Sequence, residues 1–233
     1  MDSGDAPSGP YRSRLPGVAS EHLPRPRLTR RLATAAQTPI TLVCAPAGFG
    51  KTSLVAHWAG DADAPVAWLT LEPEDGDMGV FSQHVVAAMR AVAPSAGQQT
   101  TGLLRKRRPV EARDFASALL VDLDSVDLDL VLVLDDYSTL PSSPVHKVVD
   151  EIVRRLSSPR RLILIARHDP PLSLHECLVS GRATEIRQSD LAFNAEETAA
   201  YLEHVSGWAP SAEQLERLAA SLDGWPTGLR LLA

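Results

Sequence analysis

A glycine-rich loop between an apolar run and a helical segment constrains the fold of this chain more than any other feature. Residues 40–44, ITLVC, are apolar and β-branched and predict a buried strand, while residues 52–60 predict a helix. The loop APAGFGKT at 45–52 follows the pattern G-x-x-x-x-G-K-[ST], with Ala45 in place of the first glycine. We expect this substitution to be tolerated, because a small side chain fits at the end of a strand. The arrangement predicts a phosphate-binding loop, because N–H groups at a helix N-terminus converge on an anion.

Each part of the loop has a predicted task. The side chain of Lys51 would reach the terminal phosphates as a point charge, and the hydroxyl of Thr52 would ligate Mg²⁺. The loop residues assigned to nucleotide binding are Ala47, Gly48, Phe49, Gly50, Lys51, Thr52 and Ser53. A glycine turn that contains a lysine by chance is the alternative, and the flanking strand and helix disfavour it. The predicted ligand is therefore ATP or ADP with Mg²⁺.

Two acids end a second strongly apolar run. Residues 128–136, LDLVLVLDD, predict a strand that runs into Asp135 and Asp136. In that place Asp135 would hold the magnesium ion and Asp136 would polarise the attacking water. An acidic helix cap is the alternative, and the apolar strand directly before the acids disfavours it.

An arginine after the next strand is the last candidate that comes from the residues alone. Arg167 ends the strand predicted at 161–167, where its side chain would point at the γ-phosphate and report its presence. A surface arginine at a strand end is a serious alternative. Because Arg167 follows two nucleotide-binding elements, we place it with Lys51 and Asp136 among the catalytic candidates.

Strands and helices alternate through most of the chain. The predicted strands are 40–44, 66–71, 128–136, 161–167 and 184–187, and the predicted helices are 25–36, 52–60, 80–92, 111–124 and 145–156, with a polar linker at 94–109. This alternation predicts an α/β fold in which helices flank a parallel sheet on both faces. The strand at 66–71 intervenes between the loop and the acids, as in the ASCE branch of P-loop NTPases, to which the AAA+ proteins belong.

Composition and periodicity divide the chain into three segments. Residues 1–22 are rich in Gly, Pro, Ser and Asp and predict disorder, and residues 23–192 form the predicted P-loop domain. Residues 193–233 begin a small helical domain. Because the last helical pattern carries no stop signal, we expect the chain to be the front part of a longer protein.

The composition excludes several other functions. The net charge is −6, which disfavours direct DNA binding, because phosphate contacts require a basic surface. Cys44 and Cys177 stand far apart without clustered histidines, which argues against a metal site built from cysteine and histidine and against a disulfide framework. The N-terminus has no apolar core of a signal peptide, and no apolar run approaches the length of a membrane span. We therefore expect a cytoplasmic protein with no membrane partner.

Several blocks carry a resemblance to a known family. They are PRPRLTRRL at 24–32, APAGFGKTS at 45–53, VAWLTLEPEDGD at 66–77, VLDDYSTL at 133–140, ARHDPPLSL at 166–174 and LDGWPTGLRLLA at 222–233. Together they resemble the large ATP-binding, MalT-like transcriptional regulators of the LuxR type, which belong to the STAND class of P-loop NTPases. The resemblance covers roughly residues 23–233.

The resemblance implies a nucleotide-controlled switch. Such regulators hold ADP at rest, exchange it for ATP when an inducer binds elsewhere, self-associate, and bind DNA through a C-terminal helix-turn-helix; slow hydrolysis resets them. By analogy, Pro226 would contact the adenine, and Arg25 and Arg27 would lie near the adenine and phosphates. A helix corner and a solvated basic helix start are the respective alternatives. Ser138 stands where the family usually has a histidine.

Three functions are open at this point. The first is the ATP/ADP switch module of a transcriptional regulator, with at most a weak ATPase activity. The second is a stand-alone P-loop ATPase or kinase with ordinary turnover, which the lack of an evident lid or arginine finger disfavours. The third is a P-loop domain that has lost nucleotide binding, which the intact Lys51, Thr52 and acids disfavour. We expect the first.

Overall fold

The computed structural model describes residues 13–17, 23–35, 37–105, 110–125, 129–140 and 143–232. Most of the segment 1–22, for which composition predicts disorder, lies outside these residues. None of the helices formed by the described residues has the length and apolar character required to cross a bilayer.

A parallel sheet organises the described part of the chain. Its five strands are β1 (Ile40–Cys44), β2 (Val66–Thr70), β3 (Val131–Asp135), β4 (Arg161–Ala166) and β5 (Ala183–Arg187), in the spatial order β2–β3–β4–β1–β5. The strand β4 pairs with both β1 and β3 and so separates the loop strand from the acid strand. The predicted α/β fold is confirmed. Because all five strands run parallel, their carboxyl ends meet at one edge, where open α/β sheets bind ligands.

Helices cover both faces of the sheet. They are α1 (Pro26–Ala35), α2 (Lys51–Gly60), α3 (Met78–Val92), α4 (Gln98–Leu104), α5 (Ala112–Asp124), α6 (Pro144–Arg155), α7 (Leu174–Val179), α8 (Gln188–Leu191), α9 (Ala195–Ser206), α10 (Ala212–Leu222) and α11 (Pro226–Leu232). In β1, Leu42 belongs to the core on one face and Val43 to the core on the other. Burial on both faces explains why the strands are apolar without alternation.

The predicted linker at 94–109 is wrong over the residues that form α4. The carboxylate of Asp122 on α5 accepts hydrogen bonds of 2.8 Å from the N–H groups of Gln99 and Thr100, in the first turn of α4. A cap supplied by a distant residue leaves no local signal in a polar segment. The short helix α7 was also absent from the prediction, and β3 begins at Val131 rather than at 128.

Candidate functional site

The glycine loop joins β1 to α2 at the carboxyl edge of the sheet. Gly48 and Gly50 have φ angles of 83° and 75°, in the left-handed region that glycine adopts without steric cost. Gly50 is the N-cap of α2, and no side chain caps it. The first N–H groups of a helix have no acceptor within the helix, so this turn offers donors to an anion.

Lys51 begins α2 and folds back over the loop. Its Nζ donates a hydrogen bond of 2.9 Å to the carbonyl of Pro46, and only 9% of the residue is exposed. Burial, together with the nearby guanidinium of Arg167, lowers the pKa of Lys51. A phosphate group in the loop would give the ammonium group a charged partner, which binds it more strongly than a neutral carbonyl.

Thr52 and Asp135 meet at the base of the loop. The Thr52 hydroxyl donates to Asp135 Oδ1 at 3.1 Å, and the same oxygen accepts a hydrogen bond of 2.8 Å from the N–H of Asp136. Asp135 is 4% exposed, and burial raises the pKa of its carboxyl to about 6. A hydroxyl and a carboxylate in contact are hard oxygen ligands, the kind that Mg²⁺ takes beside nucleotide phosphates. The donor set fits the predicted metal.

Asp136 and Arg167 form an ion pair on the solvent side of the edge. Arg167 Nη2 lies 3.2 Å from Asp136 Oδ1, and the two side chains are 52% and 38% exposed. Asp136 has a φ of 56°, a conformation uncommon outside glycine and frequent at functional sites. The hydroxyl of Ser138 accepts a hydrogen bond of 2.8 Å from the N–H of Arg167. Ser138 therefore connects the segment after β3 to the end of β4.

A cavity of about 290 Å³ opens beside the loop. It is lined by Leu23, Arg25, Thr29, Gly48, Phe49, Gly50, Ser53, Leu54, Phe193, Tyr201, Pro226, Thr227 and Arg230. Six residues assigned from the sequence are among them: Arg25, Gly48, Phe49, Gly50, Ser53 and Pro226. The remaining assigned residues of the loop and the acids lie at the adjoining sheet edge, whereas Arg27 does not line the cavity.

The segment Gly224–Thr227, which leads into α11, packs against the glycine loop beside this cavity. Trp225 Nε1 donates to the Ala47 carbonyl at 3.1 Å, and Thr227 Oγ1 donates to the Gly48 carbonyl at 3.0 Å. The Thr227 N–H also donates to the Gly48 carbonyl, at 3.2 Å. A Cβ atom added at Gly48 would lie 2.5 Å from Trp225 Nε1, so only glycine permits this approach.

Arg25 and Arg27 fasten α1 to the start of α9. The buried Arg25 donates to the carbonyls of Leu191 and Ala192 and to the carboxylate of Glu197, at 2.8 to 3.2 Å. Its guanidinium also lies 4.5 Å from the centre of the Phe193 ring. Arg27 reaches Glu197 at 3.1 Å from a more exposed position. Both arginines have protein partners here, and their contact with a nucleotide stays a prediction.

Sequence reasoning missed Trp225 and seven residues that line the cavity: Leu23, Thr29, Leu54, Phe193, Tyr201, Thr227 and Arg230. Trp225 and Thr227 bond to the loop, and Arg230 lines the cavity from α11. The sequence block GWPTG predicts a nucleotide contact for Pro226 alone. The spacing of Pro226 and Arg230, four residues apart on one helix, was the available signal, because such residues share a helix face.

The sequence is similar to those of known transcriptional regulators. The chain is 29% identical over 209 residues to the HTH-type transcriptional regulator MalT of Yersinia pestis (strain Pestoides F), covering 90% of this chain and 23% of that protein. It is 28% identical over the same length to MalT of Yersinia enterocolitica. The chain is therefore similar in sequence to the MalT regulators. It spans about a quarter of the length of these curated relatives, and no protein-family model matches it.

Two solved structures that are similar to this chain share its fold. The Walker-type ATPase paby2304 of Pyrococcus abyssi superposes with a TM-score of 0.58 at 15% identity, covering 92% of this chain and 67% of that one. The Orc1 protein of Aeropyrum pernix, solved in complex with DNA, gives a TM-score of 0.51 at 18% identity, with coverage of 94% and 60%. At these identities the likeness extends to the fold alone, which is that of the P-loop ATPases.

Proposed function

We propose that this chain is the ATP/ADP-binding switch module of a LuxR-type transcriptional regulator. The observation that carries the proposal is the contact between Thr52 and Asp135 beneath the glycine loop. It brings together residues that are separated by 83 positions in the sequence and that would form the two halves of a magnesium-nucleotide site. Similarity to the MalT regulators supports the regulatory context.

The cavity beside the loop suits the base and the sugar of the nucleotide. Phe49, Leu54, Phe193 and Tyr201 give it apolar and aromatic walls, the usual lining of a pocket for a flat ligand. Pro226 and Thr227 also line the cavity. The adenine would occupy this cavity, and the phosphates would extend from it along the loop toward Lys51.

The phosphates and the metal would occupy the sheet edge. The loop N–H groups and Lys51 would bind the phosphate oxygens, while Thr52 and Asp135 would hold Mg²⁺. When bound, the magnesium ion neutralises charge that develops on the phosphates during transfer. Asp136 would orient and polarise the attacking water. Its partner Arg167 would leave Asp136 for the γ-phosphate, so that the ion pair reports whether ATP or ADP is bound.

Slow hydrolysis fits the composition of this edge. Fast hydrolysis in P-loop proteins requires a cation that stabilises the transition state, and here the candidate Arg167 must first leave its ion pair with Asp136. The full regulator would self-associate in the ATP state and bind DNA through a C-terminal domain outside these residues. The net charge of −6 supports the assignment of DNA binding to another domain. A regulator of this kind would act in the cytoplasm.

Nucleotide content and turnover of the purified protein test the proposal. We expect denaturation to release ADP, and we expect ATP turnover far below about 1 per second, the low edge of ordinary enzymes. Lys51→Ala should abolish tight binding of ADP without loss of folded structure, because it removes the cation that contacts the phosphates. Lys147→Ala on α6 is the matched control and should bind as the wild type does.

Two results would contradict the proposal. If a folded Lys51→Ala variant bound ADP with wild-type affinity, Lys51 would not contact the phosphates. An empty site with turnover of many per second would favour the second candidate, a stand-alone P-loop ATPase.

A further inference from the structure

The tail segment at Trp225–Thr227 donates hydrogen bonds to carbonyl groups of the phosphate loop. These hydrogen bonds also fix the direction of the loop's own N–H groups. A peptide unit is planar and trans, so the C=O of one residue and the N–H of the next point in opposite directions. The indole N–H of Trp225 donates to the carbonyl of Ala47. The hydroxyl and the backbone N–H of Thr227 both donate to the carbonyl of Gly48. The N–H groups of Gly48 and Phe49 therefore point away from the tail segment.

We propose that Trp225 and Thr227 are positioning residues for phosphate binding, acting through two consecutive peptide units of the loop. The inference rests on the proposed nucleotide site. In this role the two side chains orient the N–H donors of Gly48 and Phe49, and they do not contact the nucleotide themselves.

The geometry of Gly48 makes the orientation dependent on the tail segment. Gly48 has a φ of 83° and no side chain, so its two peptide units rotate more freely than those of other residues. Without partners for both carbonyls, the loop would sample orientations in which an N–H turns away from the anion. Preorganised donors avoid that ordering cost at the moment of binding.

The tail segment is itself fixed to the rest of the site. The Gly224 carbonyl accepts a hydrogen bond of 2.9 Å from the N–H of Phe193, and a Cβ at Gly224 would lie 2.7 Å from the Phe193 carbonyl. Leu229 of α11 is 1% exposed. Trp225 thus presents its indole N–H from an anchored turn, which is what a positioning residue requires.

Two conservative variants separate positioning from packing. Thr227→Val removes the hydroxyl and keeps the shape, and Trp225→Phe removes the indole N–H and keeps an aromatic ring. Matched controls are Thr34→Val, whose hydroxyl bonds within α1, and Trp208→Phe at a position that is 37% exposed. Affinities for adenosine and for ADP with Mg²⁺ are measured by competition against a fluorescent ADP analogue, with circular dichroism to verify folding.

We expect each site variant to weaken ADP binding about five-fold, the effect of one neutral hydrogen bond, and to leave adenosine binding unchanged. The two controls should bind both ligands as the wild type does. An equal loss of affinity for adenosine and ADP would mean that the tail segment only shapes the base pocket. Unchanged affinity for ADP would mean that the loop is rigid by itself. Either result overturns the inference. A wild-type protein that binds no ADP would instead refute the proposed function itself.

Discussion

Replacing Asp135 by asparagine isolates the energetic cost of the buried acid under the loop. Burial raises the pKa of this carboxyl from 3.8 to about 6 in the folded protein. That difference corresponds to about 3 kcal/mol, at about 1.36 kcal/mol per pH unit. Asparagine keeps an oxygen that accepts from Thr52 and from the N–H of Asp136, and it carries no charge.

The direction of the pH effect follows from the raised pKa. The folded state binds the proton more tightly than the unfolded state, so this stabilisation is fully present below about pH 4 and is lost as the pH rises through about 6. Roughly half of this stabilisation, on the order of 1 kcal/mol, disappears between pH 5 and pH 7.5. Asp135→Asn lacks this dependence, so its stability relative to the wild type should increase by that amount over the same range.

Urea unfolding of the ligand-free proteins, with a chelator present, measures this difference. Each protein is unfolded at pH 5 and at pH 7.5, and the change in the free energy of unfolding is compared between the two. Titrating groups that do not interact with Asp135 contribute equally to both proteins and cancel. A difference between variant and wild type that is the same at both pH values would refute the argument that Asp135 is ionised at a cost above pH 6.

Three further predictions concern single residues of the site. Asp136→Asn should retain ATP binding and lose hydrolysis, because the base is removed; an unchanged rate in a turnover assay, with Asp63→Asn as control, would exclude that role. Gly48→Ala should lower the free energy of unfolding by about 2 kcal/mol and abolish ADP binding, because the added Cβ meets Trp225; calorimetry tests this against Gly102→Ala, where space is open. Arg25→Met should cost about 3 kcal/mol even without nucleotide, because it leaves the partly buried Glu197 short of a partner. Arg27→Met, at a position 41% exposed, should cost less than about 1 kcal/mol, and equal effects of the two would contradict the structure.

Much of the fold could be predicted because its signals are local. The apolar runs of β1 and β4 and the helical periodicity of α6 each lie within a few residues. The strand–loop–helix order around Gly50 and the two acids at the end of β3 likewise depend on neighbouring residues. The helix α4 escaped prediction because its first turn is capped by Asp122, from another helix.

What the sequence by itself determined was the type of each element and the chemistry of the loop and acids, because periodicity, glycine and charge act over short distances. The tertiary structure alone decided which elements meet. It placed β4 between β1 and β3, buried Asp135 so that its pKa rises, and brought Trp225 to a loop carbonyl 178 residues away. Such contacts arise from packing of the whole chain, and no local pattern encodes them.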